Sequence, residues 1–138
     1  EMMGAHVDDA AWNDVLRKCQ QKMTDHDCIF CRIAAGDIPA NIVYENKQVV
    51  AFRDINPQAP VHVVIIPRKH IASLATSTTE DVRILGGMLE AAKEIAKQLE
   101  VDASGYRVVN NCGRDAQQSV QHVHFHVLGG RQLGWPPG

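Results

Sequence analysis

Three histidines, His122, His124 and His126, recur at every second position of the segment His122-Val123-His124-Phe125-His126-Val127-Leu128. Extended backbone sends successive side chains to opposite faces. The spacing therefore predicts three imidazoles on one strand face, roughly 6.5–7 Å apart at a rise of about 3.3 Å per residue. Val123, Phe125 and Val127 then form the core face. Such a row has three chemical readings. It is a polar strand face that happens to use histidine, or a set of two or three metal ligands of the kind zinc accepts. In the third reading one neutral imidazole attacks phosphorus or carbonyl carbon while its neighbours move protons, since all titrate near neutral pH. Periodicity alone does not separate metal from nucleophile.

The flanks favour the nucleophile. The loop Gly113-Arg114-Asp115-Ala116-Gln117-Gln118-Ser119 is short, polar and leads into the histidine strand. Its backbone N–H groups and the Ser119 hydroxyl are suited to hold an anion over the imidazoles. Asn111, at the end of the preceding strand, is a further donor. An anion-holding loop beside a histidine nucleophile suggests phosphoryl or nucleotidyl transfer.

The elements that must position these groups are few. Residues 8–24 place Trp12, Val15, Leu16, Cys19 and Met23 at helical spacing, with Asp8 and Asp9 near the N-terminal end. This reads as one amphipathic helix, with a partly ordered extension as the alternative. Residues 28–33 are a short apolar segment. Strands follow over 42–45 and 48–53, joined across Asn46-Lys47, then a β-branched run over 61–66 closed by Pro67. Residues 79–100 form the strongest helix, with Thr79 as N-cap and Val82, Leu85, Leu89, Ala92, Ala96 and Leu99 as its apolar face. Strands over 106–111 and 122–128 complete the chain. One long helix among strands favours an α+β fold with an antiparallel sheet over a doubly wound parallel one.

Composition agrees with one domain. The 138 residues are 45% hydrophobic and 22% charged, which excludes disordered, collagen-like and coiled-coil chains. Fourteen basic against sixteen acidic residues leave a formal charge of -2, so no basic excess asks for nucleic acid or a membrane surface. No apolar run approaches the roughly 20 residues of a membrane span, and no secretory leader pattern opens the sequence. Four cysteines, Cys19, Cys28, Cys31 and Cys112, are too few and uneven for a disulfide framework. They predict a reducing compartment, the cytoplasm and also the nucleus.

The sequence resembles the histidine triad family, whose signature is His-x-His-x-His followed by apolar residues. The likeness reaches well past the triad. It includes 27–33, Ile38-Pro39-Ala40, Ala51-Phe52-Arg53-Asp54-Ile55-Asn56-Pro57-Gln58-Ala59-Pro60, Pro67-Arg68-Lys69-His70-Ile71, Gly105-Tyr106-Arg107, Gln118-Ser119 and the tail 128–138, which ends Trp135-Pro136-Pro137-Gly138. These segments are similar to the histidine triad nucleotide-binding branch. They cover 26–138 as the domain and leave 1–25 as an N-terminal extension.

The resemblance implies a five-stranded antiparallel sheet with one long helix, and a purine nucleoside phosphoramidase. His124 would attack the α-phosphorus and carry a transient nucleotidyl group. His126 would stabilise the phosphate oxygens, and His122 would orient the nucleophile through its backbone carbonyl. His62 would continue the proton relay behind His124, and Ser119 would contact the leaving nitrogen. Ile29, Phe30, Ile33, Phe52 and Ile55 would form an apolar slot for the base, with simple core packing as the alternative. Asp54 would accept from the ribose hydroxyls. Asn111 and the backbone of Gln117, Gln118 and Ser119 would hold the phosphate side. A homodimer would join helix 79–100 and strand 106–111 to their mates and bring Trp135 near the partner's site; alternatively Trp135 is a surface aromatic tucked onto its own chain. Rival readings are a nucleotide-binding scaffold and a dinucleoside polyphosphate hydrolase.

Two details qualify the likeness. The branch places two glycines just before Gln118-Ser119, where this chain has Ala116 and Gln117. Glycine permits positive φ and close backbone approach. Some family members also pair a Cys-x2-Cys half-site with two histidines. Here Cys28, Cys31, His70 and His122 fill all four positions, a closed structural zinc set; two free thiols beside the base pocket are the alternative. The chemistry itself requires no cofactor. Cys19 and Cys112 are expected as ordinary buried or half-buried thiols.

Overall fold

The computed structural model describes residues 27–138. The helix expected over 8–24, and Cys19 with it, lies outside the described residues. A short helix α1 (Ile29–Ala34) precedes strands β1 (Ile42–Glu45), β2 (Val49–Arg53) and β3 (Val61–Pro67). Helix α2 (Val82–Gln98) follows, then strands β4 (Tyr106–Val109) and β5 (Phe125–Gly129). The strands form one sheet in the order β1-β2-β3-β5-β4, each neighbouring pair antiparallel. This is the α+β architecture that a single long helix among strands predicts.

Period-two burial sorts the strands into two cores. Val49, Ala51, Val63, Ile65, Phe125 and Val127 pack against Met88, Ala91, Ala92 and Ile95 of α2. Val50, Phe52, Val64 and Ile66 pack on the other face against Ile29, Phe30 and Ile33 of α1. Each of the Val, Ile, Phe and Met side chains contributes roughly 1.5–3 kcal/mol when fully buried, so the central strands are clamped from both sides. His126 pairs with Val64 across β3 and with Val109 across β4. It therefore lies on the α1 face, with His62 two residues before Val64.

Helix α2 departs from the expected face. Met88, Ala91, Ala92, Ile95 and Ala96 are buried, whereas Val82 is 59% and Leu89 54% exposed. The sheet-facing stripe is rotated away from these two, which form an apolar flank of their own. Thr78 rather than Thr79 caps the helical segment: its N–H donates to Asp81 Oδ2 at 2.9 Å, and Lys69 Nζ holds the same carboxylate at 2.7 Å. The helix stops at Gln98 because Glu100 takes φ +62°, with Val101 N–H donating to Ala96 O at 2.9 Å. That is the left-handed terminator usually given to glycine.

Two strands are shorter than expected. The strand over 106–111 ends at Val109, which leaves Asn110 and Asn111 beyond it. The strand over 122–128 begins only at Phe125, so His122 and His124 precede it. Val123 N–H donates instead to Ile71 O at 2.6 Å, drawing this stretch onto the chain just past β3. The β1–β2 loop is Asn46-Lys47-Gln48, closed by Asn46 Oδ1 accepting from Gln48 and Val49 N–H.

Candidate active site and metal centre

Four ligand atoms converge beneath the start of the histidine segment. Cys28 caps α1, Cys31 lies in its first turn, His70 follows β3, and His122 precedes β5. Cys28 Sγ is 3.3 Å and Cys31 Sγ 3.4 Å from His122 Nδ1, and Cys31 Sγ is 3.2 Å from His70 Nδ1. All four atoms lie within 4.8 Å of one another. Tetrahedral zinc with N and S ligands needs ligand separations of roughly 3.3–3.8 Å, so the set is nearly at bonding geometry. The tautomer agrees. His122 Nε2 is 2.8 Å from Pro67 O and must donate to it, so Nδ1 keeps its lone pair toward the thiols. A ligating histidine commonly has its other N–H anchored in this way. Burial pushes the His122 pKa down to about 3, so the ring is a neutral donor. The four residues fit a structural zinc ion.

A second chain of hydrogen bonds sets the next two triad members. His124 Nδ1 is 2.8 Å from His122 O, a contact that only Nδ1–H can make. The unprotonated nitrogen is therefore Nε2. Phe30 packs edge-on against this ring at 5.1 Å, and burial lowers its pKa. His124 is thus held neutral, with its lone pair on one known atom. The expected row survives only in part: the His124 and His126 rings are 5.2 Å apart, closer than ideal strand spacing, while the His122 ring turns away to His70 at 5.0 Å.

His62 stands behind His126 rather than His124. Gln58 N–H donates to His62 Nδ1 at 3.0 Å, so the His62 proton is on Nε2. That nitrogen meets His126 Nδ1 at 2.8 Å, and Asp54 Oδ2 lies 3.5 Å away. His126 Nδ1 thus accepts, and its own proton sits on Nε2. Burial lowers both pKa values, that of His126 to about 3; Asp54 partly offsets the effect at His62. The same reasoning excludes a metal at Asp54, His62 and His126, whose ligand atoms also cluster. A neutral imidazole has one lone pair, and His62 has already given it to Gln58.

The expected base-slot residues are brought together, but Ile29, Phe30, Ile33 and Phe52 are buried in one core cluster, and Ile55 is its partly exposed neighbour. Asp54 is buried and uses Oδ1 to accept Asn56 N–H at 2.8 Å. A cavity of about 210 Å³ opens beside the histidines, lined by Gln58, His62, Val109, Asn111, His126 and Leu128. Gln58, Val109 and Leu128 were not anticipated. Leu128 could have been found two residues past His126 on the same face, and Val109 only through its register. Asn110 was also missed; its Nδ2 donates to His124 O at 2.9 Å.

The loop expected to hold phosphate, 113–119, differs most from expectation. Gln117 N–H donates to Arg114 O at 2.9 Å and Gln118 N–H to Gly113 O at 3.0 Å. Two of the three N–H groups expected to face a phosphate are therefore closed within the loop. The Gln118 side chain is a staple: Oε1 accepts from Gly113 N–H, and Nε2 donates to Ala72 O and Val120 O. Gln117 takes φ +62°, the conformation glycine would favour, whereas Ala116 does not. Ser119 is exposed, and none of the described residues accepts its N–H. At the tail, Arg107 Nη2 donates to Gly134 O at 2.8 Å and its guanidinium lies 6.0 Å from the Trp135 ring. Apart from this guanidinium the Trp135 ring is open, 82% exposed.

An antiparallel α+β domain that lines up neutral histidines at the head of a central strand, over a Cys2His2 pocket, belongs to a narrow class. The HIT domain model matches residues 35–133, and the chain belongs to the HIT family. It is 48% identical over 120 residues to a 14 kDa zinc-binding protein of Zea mays, covering 86% of this chain and 93% of that one. A crystal structure of a HIT family hydrolase from Legionella pneumophila Philadelphia 1 superposes with TM-score 0.79 at 49% identity, over 80% of this chain and 99% of that one. A histidine triad nucleotide-binding protein from Candida albicans gives TM-score 0.68 at 38% identity, over 79% and 82%.

Proposed function

We propose that the protein is a hydrolase of P–N bonds, a purine nucleoside phosphoramidase of the nucleotide-binding branch acting on nucleoside 5′-monophosphate phosphoramidates. The observation that carries this reading is the 2.8 Å contact from His124 Nδ1 to His122 O, which leaves Nε2 as the nucleophile. Membership of the HIT family and the likeness to a named hydrolase and a named nucleotide-binding protein support it.

His124 Nε2 attacks the α-phosphorus and forms a P–N bond to the ring. The amine departs with the electron pair of the broken P–N bond and takes a proton from solvent as it leaves; Ser119 contacts that nitrogen. His126 Nε2–H donates to a non-bridging oxygen, where charge grows in the transition state. As His124 becomes cationic, the His122 carbonyl strengthens its hold on Nδ1–H. Water then cleaves the nucleotidyl-histidine, releases the mononucleotide and restores neutral His124. Asp54 accepts from the ribose hydroxyls, Asn111 faces the phosphate, and the apolar residues around Ile55 carry the base. Cys28, Cys31, His70 and His122 would hold a zinc ion, which would supply a structural tie between their segments.

The working unit is a homodimer of domain 26–138, with 1–25 as an added segment. Exposed Val82, Leu89, Tyr106 and Val108 on α2 and edge strand β4 support this assembly. Among the described residues no helix is long and apolar enough to cross a membrane, and the proposed setting is cytoplasmic and nuclear. An adenosine phosphoramidate with a fluorescent amine tests the reading. Steady release is expected, lost by at least about 10³-fold in His124→Ala, a loss within the range for a removed nucleophile. Mass spectrometry of a quenched reaction should find a nucleotide on His124. Faster cleavage of a diadenosine polyphosphate, or binding without turnover, would overturn the proposal.

A further inference from the structure

Beyond β5 the chain turns through Gly130 and Arg131, and this turn is clipped to the loop that precedes β3. Gly130 has φ +92°, and a Cβ there would lie 2.9 Å from Pro60 Cβ. Only glycine permits that approach. Arg131 then reaches back to Gln58. Its Nε and Nη2 both donate to Gln58 O, at 3.1 and 3.0 Å, while Nη1 donates to Gln132 O at 2.9 Å. No carboxylate among the described residues pairs with this guanidinium. Two of its N–H groups are therefore spent on one backbone carbonyl.

Gln58 is the residue whose N–H meets His62 Nδ1 at 3.0 Å. That bond, with Asp54 Oδ2 lying 3.5 Å from Nε2, decides which His62 nitrogen carries the proton. The His62 proton on Nε2 in turn decides that His126 Nδ1 accepts at 2.8 Å, and so that His126 presents an N–H from Nε2. We infer that Arg131 is a positioning residue for His126. It holds Gln58 in place, and through Gln58 and His62 it keeps His126 as an N–H donor toward the reacting group. The geometric part stands on these four contacts alone; the catalytic consequence rests on the function proposed above.

Without the fork, Gln58 is held by Pro57 before it, by its N–H bond to His62 at 3.0 Å and by its own side chain, which donates to Asn56 O at 2.9 Å. The Gln58 N–H then no longer has one fixed direction, and His62 and His126 each sample both neutral tautomers. A His126 whose lone pair faces the substrate repels phosphate oxygen instead of stabilising it. Lysine would offer one point donor where arginine offers two parallel ones, so it should restore the arrangement only in part.

The test combines nitrogen NMR with kinetics on the full chain. In 15N-labelled wild-type protein, long-range proton–nitrogen correlations should show His62 with a bare Nδ1 and a protonated Nε2. In Arg131→Ala the two His62 nitrogens should converge, as should those of His126, while the backbone spectrum still reports a folded domain. On the fluorogenic adenosine phosphoramidate, kcat should fall about tenfold, the lower end of the range for loss of an orienting partner. KM should stay within twofold, and Arg131→Lys should fall between. If His62 keeps its wild-type nitrogen positions in Arg131→Ala, the inference is overturned whatever the rate does. If the tautomers mix and kcat does not fall, the catalytic consequence is wrong. If wild-type protein does not hydrolyse the substrate, the proposed function fails, and the nitrogen spectra still decide whether Arg131 sets the tautomers.

Discussion

Three ring orientations follow from three backbone groups: Pro67 O fixes His122, His122 O fixes His124, and Gln58 N–H fixes His62 and through it His126. All of these rings are neutral near pH 7 because burial disfavours the cation. The consequence for stability follows from His126, whose folded pKa is about 3 against about 6.5 for an unfolded histidine. Above pH 6.5 both states are neutral there and its contribution is fully present. Between pH 6.5 and 3 the unfolded chain binds a proton that the folded chain refuses, and stability falls as pH falls. The slope from this one group is at most about 1.4 kcal/mol per pH unit. Urea midpoints measured from pH 7 to 4 should fall accordingly and fall less steeply in His126→Gln; parallel profiles would show that His126 does not remain neutral in the fold.

At the scale of elements, the loop 113–119 is where this chain parts from the pattern it resembles. The resemblance predicts glycine before Gln118, and the structure shows why: position 117 adopts φ +62°. A side chain there costs about 1–2 kcal/mol relative to a right-handed conformation. Gln117→Gly relieves that strain but adds backbone entropy to the unfolded state, worth roughly 0.5–1 kcal/mol. A net gain of about 0.5–1 kcal/mol is expected in urea unfolding; a loss would mean that the Gln117 side chain makes contacts that outweigh the strain. The loop was legible as a short polar turn leading into the histidine segment. Its internal closure was not, because the choice between bonding a ligand and bonding itself depends on φ and ψ at Arg114 and Gln118, which residue type does not specify. The same limit applies to α2, where Val82 and Leu89 read as core residues but lie outside the stripe that meets the sheet.

At the scale of the whole molecule, the Cys2His2 pocket joins three segments distant in sequence: the cap of α1, the turn after β3 and the approach to β5. A metal bound only by the folded state stabilises it by mass action, about 2.7 kcal/mol at 100-fold excess over Kd. For a chain of this size that corresponds to roughly 10 °C in Tm. Zinc-loaded protein should therefore melt well above protein stripped with a chelator, and Cys31→Ser should remove the difference. Equal melting temperatures with and without zinc would mean that the pocket holds no stabilising metal.

Much of the site was written in residue types and spacing. Alternation made the histidine segment visible, Cys-x2-Cys marked half a metal set, and one helix among strands defined the fold class, because each of these depends only on local periodicity. Tertiary structure decided the rest. It turned His122 toward the thiols, placed His62 behind His126, and brought Asn110 and Arg131 onto the backbone that orients the rings. Those outcomes depend on which carbonyl or N–H lies within about 3 Å of a given nitrogen. That is a matter of where distant segments meet, and no local pattern encodes it.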